Sequence, residues 1–342
     1  FMSQASASQS ESVRQTYLPS DFAQFAPRSA LDLVKQVPGF SIDEGGGDRG
    51  FGQADTNVLI NGRRISGKSN GPTQALERLA LDSVVRLEIL DGASLDIGGL
   101  SGQVVNVVTA SGKDVSGRYR YSPRIRPTGS NSEKRLRELS VALTGGSDNS
   151  EWTLSVANQQ RDFGESGTEI VRDADDAVTD QRFEKSRMLF DKPNVSGSYS
   201  IETASGSVFN VVGEVNGMYS DKTEVSERLA RTSEANTRTL NQSEDEYNFE
   251  IGVDYDMAFG AGRLKLLGLH RFESSPTEDR TRIAAVNGDL EGSIFQRQAD
   301  EAESIVRAEF AFTALDSQWR WSLEGTENYL DIDSQLDSLD AQ

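Results

Sequence analysis

The sequence of 342 residues contains no cysteine, which excludes a disulfide framework, a thiolate metal site and a cysteine nucleophile. Its only histidine is His270, so a multi-histidine metal centre is excluded as well. Proline is scarce, with 8 residues, and the 31 glycines follow no Gly-X-Y period, so the chain is not collagen-like. Carboxylates are plentiful, but none stands out as an acid/base pair, and no constellation supports an enzyme.

Long apolar runs are also missing. No stretch approaches the roughly 18–20 apolar residues that a membrane-spanning helix requires. This excludes a helical membrane protein but leaves a β-barrel open, because barrel strands alternate apolar and polar residues. The 54 acidic residues outnumber the 35 basic ones, giving a net charge of −19. Such a charge repels phosphates, so we expect no nucleic-acid partner.

The first third of the chain carries mixed helical and strand signals. Residues 1–28 show little periodicity, and we predict a flexible lead there. From Ala30, apolar residues recur at helical spacing until Pro38-Gly39 ends the helix. The Asn61-Gly62 pair follows a short apolar run and predicts a hairpin turn, because both residues accept positive φ. With one further helix and two further strands, these signals predict a small α+β domain over residues 29–115.

Residues 116–342 change to a period of two. From Tyr247 to Met257, aromatic and aliphatic residues occupy the odd positions, and polar residues with Gly252 occupy the even ones. Such alternation predicts strands with one apolar and one polar face. We expect nine strands, at residues 117–125, 136–144, 151–161, 194–202, 207–219, 244–258, 263–273, 304–314 and 319–331.

The expected connections alternate between short gaps and longer ones. The long ones are polar, acidic loops at residues 162–193, 220–243 and 274–303. Outer-membrane barrels have tight turns on one side and long loops on the other. A soluble β-sandwich has no reason to place every long loop at one end. We therefore favour antiparallel transmembrane β-barrel strands over a sandwich.

Five segments of the first domain, in order, resemble the plug domain of TonB-dependent outer-membrane receptors. They are Ala30–Phe40 with its "VPG" stop, the "RGF" loop at Arg49–Phe51, "NVLINGRR" at Asn57–Arg64, "VRLEILDG" at Val85–Gly92 and "GQVVNVVT" at Gly102–Thr109. The RGF loop and the "VLINGRR" segment especially resemble receptors of Caulobacter- and Sphingomonas-type bacteria. Barrel strands follow this domain directly, as they do in the family.

The resemblance implies a plug domain at residues 29–115 and the N-terminal part of a barrel at 116–342, in the outer membrane of a Gram-negative bacterium. Such receptors bind a scarce extracellular ligand, such as a ferric siderophore, a cobalamin-like compound or a carbohydrate. They import it when TonB and its inner-membrane motor complex pull on the plug. No cofactor and no chemical transformation of the ligand are implied. The alternative is a surface-exposed β-rich binding or structural protein with a plug-like adaptor domain.

The resemblance also implies which residues act. Plug loops that point to the extracellular side hold the expected ligand contacts, and ordinary loop polarity is the competing explanation. These contacts are Arg49, Lys68, Ser69, Asn70 and Asp96.

Two further functions are expected within the plug. Arg86 and Glu88 are the candidates for a charged lock between plug and barrel, with a solvated ion pair as the competing explanation. Asp91 stands where the family usually has arginine, which puts one half of that lock in doubt. For the TonB box, the short mobile segment that TonB engages, the candidate is Glu11, Ser12 and Val13.

Two other features invite a metal or haem interpretation that we do not favour. Asp173, Asp175, Asp176 and Asp180 cluster in a long loop, but their spacing does not match an EF-hand, so a solvated acidic loop is expected. His270 is expected to be structural rather than a haem ligand.

Finally, we expect these residues to supply only part of a barrel. Nine is an odd number of strands, whereas bacterial single-chain barrels have even numbers. A 22-stranded barrel at the present spacing needs about 530 residues. We therefore expect the first and ninth strands to lack a neighbour on one side or to pair with another polypeptide, and residues 331–342 to lie in the fifth extracellular loop. The expected partners thus include the remaining C-terminal barrel portion, as further sequence or a second chain, and outer-membrane lipid.

Overall fold

The computed structural model describes residues 13–43, 56–64, 71–95, 97, 100, 102–110, 115–125, 136–230, 235–286, 288–315 and 317–339. The strands form two sheets, one of five strands that ends at Thr109 and one of nine strands that begins at Ser116. Within the described ranges, no helix is long and apolar enough to cross a membrane. We call the first unit the plug domain and the nine-stranded sheet the wall.

The plug domain is a mixed sheet with short helices packed on it. Its elements are β1 (Val13–Tyr17), α1 (Ala30–Val34), β2 (Val58–Ile60), β3 (Arg63–Arg64), α2 (Pro72–Arg78), β4 (Val84–Asp91) and β5 (Gln103–Thr109), with 3₁₀ turns at Pro19–Phe25, Leu81–Ser83 and Gly92–Ser94. The sheet has the order β1-β4-β5-β2-β3, in which β2 and β5 are parallel and the other pairs are antiparallel.

The core of the plug domain is apolar, as in a water-soluble domain. Leu33, Leu76 and Leu87 are fully buried, and they belong to one cluster with Val105 and Val107 of β5. Burial of a side chain of this size stabilises a fold by about 1.5–3 kcal/mol. The helix that the sequence predicts from Ala30 is present, and Ser29 caps it by accepting a hydrogen bond from the Asp32 amide at 3.3 Å.

The predicted hairpin turn at Asn61-Gly62 is confirmed. Asn61 has a φ of 52° and Gly62 a φ of 76°, and these two residues join β2 to β3. Few residues other than Asn and Gly accept such angles at low cost, which explains why this pair stands at the turn.

Part of the expected flexible lead is ordered. β1 pairs with β4 along Val13–Tyr17, and Phe22 of the following 3₁₀ turn is buried in the plug core. The Tyr17 and Phe22 rings pack against each other, with centroids 5.3 Å apart. Residues 13–25 lack the apolar alternation that predicts a strand, because β1 is an edge strand with few core contacts.

The wall confirms the nine antiparallel strands, each paired with its neighbours in sequence. Its strands are β6 (Ser116–Tyr121), β7 (Leu139–Gly146), β8 (Ser150–Arg172), β9 (Val178–Glu202), β10 (Val208–Ala230), β11 (Asn236–Phe259), β12 (Gly262–Ala285), β13 (Leu290–Ala314) and β14 (Ser317–Leu339). Among the described residues, β6 and β14 are the edges of an open sheet, as the odd strand number predicts.

The prediction of long loops at residues 162–193, 220–243 and 274–303 is wrong. Most of these residues continue the strands, so that β8 and β9 are joined only by residues 173–177. Residues 331–339 likewise belong to β14 rather than to a loop. A strand of 23 residues is roughly 75 Å long, three times the apolar band of about 25 Å that a membrane imposes. Outside that band both faces of a strand can be polar. The backbone hydrogen bonds between the strands therefore continue beyond the residues whose side chains alternate between apolar and polar.

The wall reverses the burial rule of the plug domain. Ile251 is 46% exposed, whereas its neighbour Glu250 is 5% exposed and faces the plug side together with Asp254. The same inversion occurs on β10, where Val215 is exposed and Glu214 is buried. The odd positions of β11 therefore point outward and the even ones inward, as the sequence predicts.

Candidate functional site

The wall holds the plug domain through polar contacts, two of which lie at the end of the wall that carries the β7–β8 and β9–β10 turns. Asn61, in the β2–β3 turn, donates from Nδ2 to both carboxylate oxygens of Glu151, at 2.9 and 2.8 Å. Glu151 lies in the second position of β8, next to the short connection from β7. The turn residue is fixed from the plug side as well, since its Oδ1 accepts from the Thr109 amide at 2.9 Å. The hairpin turn therefore joins the two units.

Arg63 makes a second contact two residues further along. Its guanidinium donates to the Ser200 hydroxyl and lies 3.4 Å from a Glu202 carboxylate oxygen. Ser200 is opposite Glu151 in the β8–β9 ladder, so both plug contacts meet one patch of the wall. Arg63 is about one third exposed, which limits the strength of its ion pair.

Arg78, at the end of α2, makes the most buried charged contact between the two units among the residues that the structure describes. Its guanidinium lies 3.4 Å from a carboxylate oxygen of Glu214, and the two side chains are 14% and 8% exposed. Asn216 donates to the other Glu214 oxygen at 2.6 Å. Burial lowers the pKa of the Arg78 guanidinium from its ordinary value, and the Glu214 carboxylate opposes that shift. Removing either charge would leave the other buried without its partner.

Glu77, the neighbour of Arg78 on α2, contacts the first wall strand. Arg118 donates to the Glu77 carbonyl oxygen at 2.7 Å. Arg120 lies 3.5 Å from the Glu77 carboxylate and 3.3 Å from that of Glu138. The C-terminal end of α2 is therefore held between β6 and β10.

The predicted lock residues form a pair within the plug domain. Arg86 Nε lies 2.8 Å from Glu88 Oε1, and Glu88 Oε2 accepts from Asn106 Nδ2 at 2.8 Å. The buried Asn106 in turn accepts from the Gly62 amide at 2.7 Å. Glu88 is thus connected to the Asn61-Gly62 turn through Asn106, and Arg86 is connected to it only through Glu88. The role of these two residues as a lock stays a prediction.

The remaining predicted site residues are mostly not placed by the structure. Val13 belongs to β1, where its backbone pairs with Leu90. The others lie outside the described residues: Glu11, Ser12, Arg49, Lys68, Ser69, Asn70 and Asp96.

A cavity of about 890 Å³ lies between α2 and the inward face of the wall. Strands from β6 to β12 contribute to its lining, together with Glu77 and Arg78 of α2. A smaller cavity of about 370 Å³ adjoins the Arg63 contact and includes Trp152 and Tyr199. The larger volume falls in the range of small-molecule sites, roughly 300–1,000 Å³.

The acidic turn between β8 and β9 makes local hydrogen bonds. Asp173 Oδ1 accepts from the amides of Asp175 and Ala177, at 3.0 and 2.9 Å. Asp180 is buried between the guanidinium groups of Arg182 and Arg228. Among the described residues, no group of three or more His, Asp or Glu side chains is placed to hold a metal ion.

His270 lies on the outward face of β12. Its Nδ1 is 2.9 Å from the Ser304 hydroxyl, and its ring packs 5.6 Å from that of Phe249. These contacts place the histidine in the β11–β13 ladder, and it is not among the described residues that line the cavity.

Sequence reasoning missed the contacts that join plug and wall. Asn61 was predicted only as a turn residue, and Glu151, Glu214 and Arg78 carried no signal of their own. One usable signal was position: Glu214 stands at an inward position of a strand whose outward positions are apolar, where an unpaired carboxylate needs a partner.

Among known proteins, one family model matches the first part of the chain by sequence. Residues 6–103 match the family model described as TonB-dependent Receptor Plug Domain. No curated protein matches the chain significantly.

Solved structures of transporters and receptors give partial matches. The unliganded ferric citrate transporter FecA has 14% identity and a TM-score of 0.27, covering 95% of this chain and 58% of that one. The ferric yersiniabactin uptake receptor FyuA from Yersinia pestis has 12% identity and a TM-score of 0.25, covering 96% and 62%. The siderophore receptor PiuA from Acinetobacter baumannii has 8% identity and a TM-score of 0.24, covering 94% and 61%. The chain thus spans about 60% of the length of these structures.

Proposed function

We propose that this chain is the plug and the first part of the barrel of a TonB-dependent outer-membrane receptor. The receptor imports a scarce extracellular ligand, a ferric siderophore, a cobalamin-like compound or a carbohydrate, by gating of the plug. Its partners are TonB with the inner-membrane motor complex, the ligand, and outer-membrane lipid. It is not an enzyme, since the ligand is moved and not transformed.

One combination of observations carries this proposal. A domain that matches the plug family leads directly into a sheet that exposes many large apolar side chains on its outward face and buries carboxylates such as Glu214, Glu250 and Asp254 on its inward face. The same domain is attached to the inward face of that sheet by Asn61, Arg63 and Arg78. An apolar outer face with a polar inner face suits a barrel strand in lipid.

The contacts suggest how ligand passage is blocked and released. Among the residues that the structure describes, the plug contacts the wall through hydrogen bonds and ion pairs, and no apolar cluster is shared by the two units. Separation of these contacts would therefore expose little apolar surface. Of these contacts the buried Arg78–Glu214 pair is the costliest to break. A ligand can influence release only if its contacts differ between the attached and the released plug.

The position of β1 suggests where TonB acts. β1 is an edge strand that pairs only with β4 in the described plug sheet, and its first residue, Val13, is also the last residue of the TonB box candidate. A force applied there would first separate β1 from β4, one hydrogen-bonded pair after another. The remaining plug strands would be loaded only after that.

The decisive experiment is a reversible cross-link between plug and wall. The chain has no cysteine, so Arg63→Cys with Ser200→Cys introduces two unique thiols, which a bis-methanethiosulfonate reagent can join across the space that the Arg63 side chain now spans. We expect proton-gradient-dependent uptake of radiolabelled ferric chelates, cobalamin or oligosaccharides to be lost in the cross-linked form and restored by dithiothreitol. Ligand binding to cells should be unchanged throughout.

A matched control cross-links two wall strands instead. Thr153 and Ser198 face each other across β8 and β9, with hydroxyl oxygens 2.7 Å apart. Thr153→Cys with Ser198→Cys should leave uptake intact. Undiminished uptake with the plug–wall cross-link formed would overturn plug gating, and a protein that is monodisperse without detergent would favour the β-rich adaptor alternative.

A further inference from the structure

The 890 Å³ cavity has two oppositely charged sides. Arg124, Arg161 and Lys192 line it from the β6–β9 part of the wall, and we call them the basic side. Glu246 and Glu273 line it from β11 and β12, and we call them the acidic side. Between the two sides lies β10, whose carboxylate in the cavity, Glu214, is already paired with Arg78.

The basic side is not neutralised by the protein. Within the described part of the chain, no ion pair joins Arg124, Arg161 or Lys192 to a carboxylate. Arg161 instead lies 5.7 Å from the centre of the Phe190 ring. The nearby Arg120 differs, because Glu77 and Glu138 both pair with it.

The acidic side has one cation among its described lining residues, Arg271, which lies beside Glu273. Glu273 is directly opposite Glu301 in the β12–β13 ladder, an arrangement of like charges that destabilises a sheet. Its neighbour Arg271 is flanked across the strands by Glu250 and Glu303, so that base is surrounded by acids of its own. Glu246 accepts only a neutral hydrogen bond among those described, from Asn248 at 2.7 Å.

Opposed charges across one cavity create a directed field. Walls of low dielectric focus field lines into a cleft and raise the local concentration of matching ions. A purely anionic ligand would be attracted by the basic side and repelled by the acidic side. A neutral ligand would leave both sides without partners when it displaces their water, which is costly for charged groups.

We propose that the cavity selects a zwitterionic ligand. Its carboxylate lies toward Arg124, Arg161 and Lys192, and its ammonium group lies toward Glu246 and Glu273. This inference rests on the proposed function, because it names the ligand class of the same lumen. It goes further than the proposed function because it states which charges the ligand carries, whereas the three ligand types named above do not.

The test uses four ferric trihydroxamate probes with one common core. The first carries a free ammonium and a free carboxylate, the second only the carboxylate, the third only the ammonium, and the fourth neither. Binding to the purified protein is followed by quenching of tryptophan fluorescence. We expect the zwitterionic probe to bind at least about tenfold more tightly than any other, because each of the other probes leaves one charged side of the cavity without a matching charge.

Two paired variants assign the preference to the two sides. Arg161→Gln with Lys192→Gln should abolish the advantage of the zwitterion over the ammonium-only probe. Glu246→Gln with Glu273→Gln should abolish its advantage over the carboxylate-only probe. The matched controls Arg137→Gln and Asp221→Asn remove charges that do not line the cavity, and they should change neither ratio. If the paired basic-side variant does not fold, the single variant Lys192→Gln replaces it, and it should reduce the advantage of the zwitterion over the ammonium-only probe.

Several results would overturn the inference. It fails if the carboxylate-only probe binds as tightly as the zwitterion, or if the acidic-side variant leaves the order of the probes unchanged. It also fails, with the proposed function intact, if no probe binds while energised uptake of another ligand persists. If no probe binds and no ligand is taken up, both the inference and the proposed function fall.

Discussion

The plug domain and the wall bury opposite kinds of side chain within one chain. In the plug, Leu33 and Leu87 are fully buried in an apolar cluster. In the wall, the buried side chains include Glu250 and Asp254, and large apolar ones such as Ile251 are exposed. The plug thus follows the rule for a domain that folds in water, and the wall follows the rule for a sheet whose outer face meets an apolar medium.

The difference explains how the two units can touch without merging. An apolar plug surface against an apolar inner wall would create a shared core that is costly to open. The interface instead consists of side chains such as Asn61, Arg78 and Glu214, each satisfied by a partner on the other unit or beside it. Polar contacts of this kind fix the position of the plug, and under the proposed function they would allow an applied force to remove it.

The largest loss of stability is expected at the interface between the plug domain and the wall. Arg78→Met should destabilise the attachment of the plug by about 3–5 kcal/mol, because it leaves the buried Glu214 carboxylate without its guanidinium. Urea unfolding of the detergent-solubilised protein, read by a fluorophore on a cysteine introduced into the plug, measures this change.

Its control is the double variant Arg78→Met with Glu214→Gln. Removing both charges should recover most of the loss, since no uncompensated buried charge remains. A double variant as unstable as the single one would mean that packing, and not charge pairing, holds α2 against the wall.

The second prediction contrasts the two kinds of apolar residue. Leu87→Ala should cost about 3 kcal/mol, because it removes buried methyl groups and leaves a cavity in the plug core. Val215→Ala, on the exposed outer face, should cost at most about 1.5 kcal/mol, since detergent or lipid fills the vacated space. Urea titrations of both variants give the comparison, and equal costs would contradict a fluid apolar environment at Val215.

The third prediction tests the inverted faces directly. Ile251→Arg should destabilise the wall by about 2–4 kcal/mol if this position lies near the middle of a bilayer, and Ile251→Asp by less. Asn248→Arg, on the inward face of the same strand, should be nearly neutral. Folding into phospholipid vesicles as a function of urea measures all three, and a larger penalty at Asn248 would reverse the orientation of β11.

The sequence predicts much of this fold because both period and turn chemistry are local. The helix at Ala30, the Asn61-Gly62 turn and the nine wall strands follow from such signals. The strand lengths do not follow, since residues such as 220–230 pair through their backbones in a region where neither face needs to be apolar. β1 is missed for a related reason, because an edge strand contributes little to the core.

The candidate site is less predictable because its contacts join distant parts of the chain. Arg78 and Glu214 are 136 positions apart, and nothing near either residue names the other. The resemblance to plug domains pointed to a charged lock, and it placed that lock at Arg86 and Glu88. The structure adds Asn61, Arg63 and Arg78 as side chains in contact with the wall.

The smallest expected effect concerns Arg86, and it separates the two possible locks. Arg86 is 41% exposed and pairs with Glu88 on its own strand, so Arg86→Ala should cost only about 0.2–1 kcal/mol. Glu88 itself reaches the interface indirectly, because Asn106 links it to the Gly62 amide beside Asn61. A double-mutant cycle should therefore show coupling of Arg86 to Glu88 and none to Glu151. A loss of several kcal/mol on Arg86→Ala, or strong coupling to a wall carboxylate, would restore Arg86 as a direct lock and reduce the Asn61 turn to a positioning element.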